Sequence, residues 1–399
     1  MKLFLSSFGT TLLCLFALNF SIDPFGLRHV PIDAVVGGNA GSCAIDTAFL
    51  PEGMQIAFKS WLISTRQARN VVVGSSRVFK VDRKAFGSDS FVNLGLGGLA
   101  LNSYLGLARH LESYPSVKFV LLGVEFYAFG NQTGLVKFMD RALKLSARVG
   151  LRPLVAKLIT SFYALKGSQY FETELARDWH ILTEYLSLPA TQRSFQILLS
   201  SGASLNERHA IALPEKSPVP GRCALSPTPE LSRRRYWNVV DGSVYLLDDL
   251  KGQTSKPDLS EYDPKYFNGA VTNSHWALLV DMTEVSESKL LILDHFLAQL
   301  TARGVRVLGF TAPFPDKVQS ITEKLGYGPL KAKFEASAAE IFARHGQEFL
   351  PPRPSTRFGC NDLTDYDDIW HPGRECTARA LADLRARAKS FGAPAEAMH

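Results

Sequence analysis

Four short apolar runs recur along the chain, with helix-length segments between them: Asn70–Gly74, Phe91–Gly95, Val117–Gly123 and Val305–Phe310. They are rich in β-branched and aliphatic residues and carry little polar alternation, so each reads as a strand buried on both faces. The segments between them show helical spacing. Phe58, Trp61, Leu62 and Thr65 share one face over 52–66, and Leu101, Leu105, Ala108 and Leu111 follow the second strand. Leu290, Leu293, Leu297 and Leu300 mark another helix that stops at Gly304, and a last helix is expected over Glu375–Lys389. Strands alternating with helices imply right-handed crossovers and a parallel sheet with helices on both sides. The fold class is therefore α/β, a three-layer α/β/α sandwich.

A chain of 399 residues, 46% of them hydrophobic, has ample material for such a core and lies far from the composition of disordered proteins. Net charge is mild: 44 Lys and Arg against 38 Asp and Glu. It does not call for nucleic acid, and suits an anionic membrane surface or an acidic polysaccharide equally well.

At the N-terminus, Leu3–Phe20 is an apolar run preceded by Lys2 and followed by no small-x-small cleavage site. Its length suits an uncleaved signal anchor over 1–22, with a cleaved signal peptide as the rival reading. Residues 23–50, with Pro24, Gly26, Pro31, Gly37, Gly38 and Gly41, read as a linker. Cysteine usage fits export. With Cys14 inside the apolar run, Cys43, Cys223, Cys360 and Cys376 remain, and a Cys360–Cys376 disulfide would pin the polar loop between them.

Residues 51–130 and 281–390 carry the strand–helix pattern, 131–280 read as a mostly helical insertion, and 391–399 form a tail. The stretch Gly134–Gly167 is strongly basic, with Lys137, Arg141, Lys144, Arg148, Arg152, Lys157 and Lys166 against Asp140 alone. Leu135, Phe138, Leu143, Leu145, Leu151, Leu154, Leu158 and Ile159 interleave with those charges. Such a segment suits a membrane surface, or equally a solvated helix face packed on the core. Residues 211–235, rich in Pro and Ser, read as a loop ending in Arg233, Arg234 and Arg235.

Three motifs could carry chemistry. Gly74-Ser75-Ser76-Arg77 follows the first strand and places a hydroxyl at the carboxyl end of the sheet, where open α/β sheets bind ligands. Asn93-Leu94-Gly95-Leu96-Gly97-Gly98 follows the second; its glycines suit close approach of a backbone N–H, and its spacing is not a dinucleotide fingerprint. Asp367-Asp368-Ile369-Trp370-His371 precedes the last helix and supplies, on one loop, a base and the carboxylate that orients it. Among nine histidines only His371 has this setting, with His275 beside Trp276 a distant second; His110, His295 and His345 lie in helical patterns.

The order and positions of these blocks resemble the SGNH (GDSL-like) hydrolase superfamily. More narrowly, the chain is similar to its membrane-anchored branch, the DltD-like and AlgJ/AlgX-like polysaccharide acylation proteins. There a Gly-Ser-Ser block replaces Gly-Asp-Ser, and a strand end like Leu122-Gly123-Val124-Glu125-Phe126 recurs. The resemblance covers roughly 65–130 and 285–390. It implies a flavodoxin-like sheet, a nucleophile at Ser76, a base at His371 oriented by Asp368, and oxyanion donors at Ser76 and Gly98. The superfamily's third donor is an asparagine, where this chain has Glu125. An ionised Glu125 would repel an oxyanion, so it is protonated, points elsewhere, or leaves the hole to backbone N–H groups. A missing donor costs about 10²–10³ in rate, which favours acyl transfer or a weak esterase over a fast hydrolase.

The expectation is an extracytoplasmic, membrane-anchored serine esterase or O-acyltransferase facing the periplasm or cell exterior. It would act on acyl esters of cell-envelope glycan, with no metal or organic cofactor and with a membrane-bound O-acyltransferase as a possible partner. The rival is a non-catalytic accessory protein that uses the same scaffold to bind glycan or that partner. A cytosolic α/β protein whose N-terminal run is a core helix is the third.

Overall fold

The computed structural model describes residues 2–22, 43–46, 52–97, 99, 101–168, 186–199, 210–212, 235–238, 241–246, 262, 263, 276, 279 and 282–388. Its elements in chain order begin with α1 (Lys2–Ile22), β1 (Cys43–Asp46), α2 (Glu52–Arg66), β2 (Asn70–Gly74), α3 (Arg83–Phe86) and β3 (Phe91–Gly95). Next come α4 (Tyr104–Glu112), β4 (Phe119–Gly123), α5 (Gly134–Arg148), α6 (Arg152–Ser168) and α7 (Leu188–Leu199). The short strands β5 (Ala210–Ala212), β6 (Arg235–Asn238) and β7 (Val244–Leu246) follow. The chain then runs through α8 (Glu287–Ala302), β8 (Arg306–Phe310), α9 (Asp316–Lys324), α10 (Gly328–Arg344), β9 (Glu348–Leu350) and α11 (Arg374–Arg387).

The chain divides into two compact units, Met1–Leu62 with Glu172–Gln253, and Ile63–Phe171 with Thr254–His399. The second contains the parallel sheet, in the order β3-β2-β4-β8-β9. Numbered within this sheet the order is 2-1-3-4-5, the flavodoxin arrangement, whose direction of winding reverses between β2 and β4. Val71, Val73, Val120 and Leu122 are as fully buried as their neighbours Val72 and Leu121. A strand buried on both faces has no polar alternation, which is why these runs look continuous in the sequence. On one side Val72, Phe91, Phe119, Leu121, Leu308 and Phe310 meet Leu381 and Leu384 of α11. Elsewhere α4 and α8 pack together, with the Tyr104 and Phe296 rings 5.2 Å apart, and α8 also packs on β8. The result is the α/β/α sandwich expected from the pattern.

The helices of this unit begin where the sequence supplies caps. Asp82 accepts from the Ala85 N–H at the start of α3, Thr133 from Val136 at α5, and Ser286 from Lys289 at α8. Two stretches are organised differently from the sequence reading. The basic segment groups with the sheet unit, since α5 and α6 pack on each other and on α8, and α6 packs on α4. Between Phe310 and the last helix lie α9, α10 and the three-residue strand β9, an edge too short to leave a periodic signal.

The first unit holds a second sheet, antiparallel, in the order β5-β1-β6-β7. Thus Cys43–Asp46, inside the stretch read as a linker, is a central strand, and Ala210–Ala212, at the edge of the expected loop, pairs with it. Helix α1 packs on α7, where buried Asn19 donates to Thr191 Oγ1 at 3.0 Å and accepts from Ser194 Oγ at 2.9 Å. Among the described residues no helix is long and apolar enough to cross a membrane, so an anchor at Leu3–Phe20 rests on the sequence alone.

Candidate active site

Three strands of the central sheet end in glycine, and one side chain explains all three. After β2 the chain makes a single 3₁₀ turn, Ser76–Val78, capped by Ser75. That turn lays Val78 across the carboxyl ends of β2, β3 and β4. A Cβ on Gly74 would lie 3.0 Å from Val78 Cγ1, one on Gly123 2.7 Å from the same atom, and one on Gly95 2.8 Å from Val78 Cγ2. Real Cβ atoms essentially never come as close as those at Gly123 and at Gly95, the latter also 2.8 Å from Asn93 Oδ1, and at Gly74 Val78 would have to give way. The turn that carries Ser76 therefore sits over strand ends that lack side chains.

The turn is held from below by Asn93, fully buried on β3. Its Nδ2 donates to the carbonyls of Val78 and Val81, each at 2.8 Å, and its Oδ1 accepts from the Gly95 N–H at 2.8 Å. In the sequence Asn93 reads as part of a glycine-rich turn; here it is the bracket that fixes the turn of Ser76 to the neighbouring strand. Ser76 therefore emerges between β2 and β4, at the switch point where such sheets bind ligands.

The opposing loop comes from the other end of the chain. Between Tyr366 and Pro372, which form an isolated antiparallel bridge, the backbone closes on itself, with Asp367 N–H donating to His371 O at 2.9 Å. Asp368 Oδ1 accepts from the N–H groups of Trp370 and His371 at 2.7 and 2.8 Å. Its Oδ2 lies 2.7 Å from His371 Nδ1, and His371 Nε2 lies 2.8 Å from Ser76 Oγ. With Nδ1 donating its proton to Asp368, Nε2 is left as acceptor for the Ser76 hydroxyl. The three residues singled out in the sequence, 295 positions apart at the extremes, form one hydrogen-bonded line. The Ser76 N–H donates to no group among the described residues.

Arg77, adjacent to the nucleophile, is the residue the sequence reading passed over. Its guanidinium is buried and donates to the carbonyls of Trp370 at 2.9 Å, Ala312 at 2.8 Å and Pro313 at 2.7 Å. It also pairs with Glu125 and stacks 3.3 Å over the Phe314 ring. One side chain thereby ties the ends of β4 and β8 to the loop of His371. Glu125 is buried with it. Burial pushes the Glu125 carboxyl above the usual carboxylate range, and the Arg77 charge with its hydrogen bond pulls the other way. The carboxylate that the sequence set opposite a developing oxyanion is thus directed at a guanidinium.

Two further ion pairs join the two loops, Lys80 with Asp367 at 3.1 Å and Arg374 with Asp82 at 2.5 Å. Behind His371, Trp370 is buried edge-on against Tyr127, Phe314 and Trp276, with ring centroids 5.1–5.6 Å apart. None of these partners is near its mate in sequence, and no local pattern marks them.

Cys360 and Cys376 are joined by a buried disulfide, Cα–Cα 5.4 Å, that closes the loop bearing Asp368 and His371. For a 16-residue separation the bond is worth about 3 kcal/mol, mostly by restricting the unfolded chain. Cys376→Ser is expected to lose about that much in denaturant titration, and to lower kcat because the base is no longer held at Ser76. Unchanged kcat at full folding would show that the hydrogen bonds of the loop suffice.

Gly98, His275, Cys223 and the tail 391–399 lie outside the described residues, as does the side chain of Cys43. Of the other histidines among the described residues, His110 stacks on Tyr114, His295 bonds its own helix at Leu291 O, and His345 meets Asp294. Among the described residues no three His, Cys, Asp or Glu side chains are grouped to hold a metal ion. No family model, no curated protein and no solved structure matches the chain.

Proposed function

We propose that the protein is a serine-dependent acyl esterase or O-acyltransferase that works through an acyl-enzyme on Ser76. The observation that carries this is the Ser76–His371–Asp368 line, with each contact at 2.7–2.8 Å and the histidine tautomer set by the carboxylate. Ser76 Oγ attacks an ester carbonyl while His371 Nε2 takes the hydroxyl proton. The tetrahedral oxyanion meets the Ser76 N–H and, as the resemblance implies, that of Gly98. Collapse breaks the C–O bond, and His371 returns the proton to the departing alcohol. Water or a sugar hydroxyl then gives its proton to His371 and attacks the acyl-serine, releasing acid or a new ester and restoring Ser76.

The resemblance to the SGNH polysaccharide acylation branch supports acyl esters of cell-envelope glycan as the substrate class. The apolar run Leu3–Phe20 and the disulfide support a tethered, extracytoplasmic setting. Pairing of Glu125 with Arg77 supports catalysis over the accessory reading, because the pair offers no net negative charge to an oxyanion.

A fluorophosphonate probe tests the reading. Intact-mass spectrometry of the full chain is expected to find one adduct, on Ser76, absent in Ser76→Ala and reduced in His371→Ala. No adduct, under conditions that label a control serine hydrolase, would move the protein to the accessory class.

A further inference from the structure

The basic segment forms a helical hairpin, α5 and α6 joined at Val149-Gly150-Leu151, and it has three faces rather than two. On α5 the face toward the core carries Val136, Met139, Leu143 and Ser146. A second face carries Leu135, Phe138, Leu145 and Val149, spaced i, i+3, i+10 and i+14, so they lie in one line along the helix. A third, beside it, carries Lys137, Arg141, Lys144 and Arg148. Leu151 of the joining turn and Leu154, Leu158 and Leu165 of α6 continue the exposed apolar line. These eight large side chains are 45–69% exposed. Of the apolar residues that interleave with charge in the sequence, only Leu143 and Ile159 reach the core.

Single exposed apolar side chains are ordinary on a protein surface; eight large ones on two consecutive helices and the turn between them are not. The charges say what meets them. Lys144 and Arg152 are engaged by Glu284 and Glu287, but among the described residues no acidic side chain pairs with Lys137, Arg141, Arg148 or Lys157. The one acid of the hairpin, Asp140, is buried and accepts from the Ser286 hydroxyl and the Ser288 N–H. The exposed side is therefore apolar with a cationic border, and the carboxylates that reach that border, Glu284 and Glu287, are taken up by Lys144 and Arg152.

We propose that this side of the α5–α6 hairpin lies on an anionic lipid bilayer, with the leucines and Phe138 at the acyl boundary and the four free cations among the headgroups. Apolar side chains flanked by Lys and Arg are the composition of helices that rest in a membrane interface. The proposal stands apart from the acyl-enzyme reading and does not need Leu3–Phe20 to be an anchor.

The test uses the full chain with a reporter on the face, so that attachment through the N-terminal run does not count as binding. Phe138→Trp and Leu154→Trp place a fluorophore at exposed sites, against the parent's own tryptophans as baseline. With vesicles of phosphatidylglycerol and phosphatidylcholine bearing brominated chains, the added fluorescence is expected to be quenched. Pure phosphatidylcholine should quench it little, and Arg141→Glu with Arg148→Glu should raise the lipid needed by about tenfold or more at moderate salt. An added tryptophan that stays unquenched, or is quenched alike with and without anionic lipid, overturns the proposal; the first result would leave the face to a protein partner. Turnover of a soluble ester by the charge-reversed protein keeps this outcome separate from failure of the site at Ser76.

Discussion

Alanine at Ser76 is expected to reduce turnover of an activated acyl ester by about 10⁴–10⁶, and alanine at His371 by nearly as much. The double variant is expected to be no worse than either single one. The reason is the geometry: in the proposed mechanism His371 Nε2 has one task, to take the proton of the Ser76 oxygen 2.8 Å away. Without that oxygen the base does nothing, and without the base the hydroxyl is a weak nucleophile. Asp368→Asn is expected to cost about 10⁴, because an amide at Oδ2 favours the wrong imidazole tautomer. Steady-state kinetics on the four variants, with denaturant titrations alongside, decide the matter. Losses at Ser76 and His371 that multiply would mean separate roles and would break the triad assignment. Stability should move by no more than about 1 kcal/mol on losing the Ser76 hydroxyl, since one half-buried hydrogen bond is involved.

The second large effect is on stability and belongs to Arg77. Arg77→Met removes the cation and leaves Glu125 in a site with almost no access to water. Breaking one side of a buried pair costs about 3–5 kcal/mol, well above an ordinary surface substitution. The pair Arg77→Met with Glu125→Gln should recover much of that loss, because no stranded charge remains. The pH dependence follows from the direction in which burial moves Glu125. Without Arg77 only the backbone hydrogen bond at Ala312 still opposes desolvation, so the folded carboxyl titrates above the unfolded one and the native state binds the extra proton. Stability of Arg77→Met should then fall as pH rises above the unfolded Glu value and recover on acidification. Chemical denaturation at pH 5 and pH 8 measures it; a pH-independent loss would mean that packing of the guanidinium on Phe314, not charge, is what the site requires.

Much of the sheet unit can be read from the chain because its information is local. A fully buried strand writes itself as a continuous apolar run, and the residues of the site follow strand ends or share one loop, as Asp368 and His371 do. What could not be read is of two kinds. Strands of three or four residues, β1, β5, β7 and β9, have no period to detect, and the antiparallel sheet of the first unit is built from such pieces. Partnerships over long separations leave no trace in a single sequence: Arg77 finds Glu125 across 48 residues and the Trp370 carbonyl across 293. Glu125 looked like an obstacle to oxyanion binding because its counter-ion was invisible, although it stands next to the nucleophile in the sequence.

Val78 gives the assembly of this molecule an order. Its methyl groups touch the ends of β2, β3 and β4 at once, so its position is defined only when all three strands are in register. Pairing β2 with β4 requires closure of a loop that contains β3 and α4, a slow, non-local step compared with forming either helix beside it. The turn carrying Ser76 consequently settles at the end of that process. Under the proposed mechanism, a chain arrested earlier would hold Ser76, His371 and Asp368 without the reactivity of their assembled line. In a refolding experiment the proposed nucleophile would itself become the clock, since it would react only once the three strands have locked.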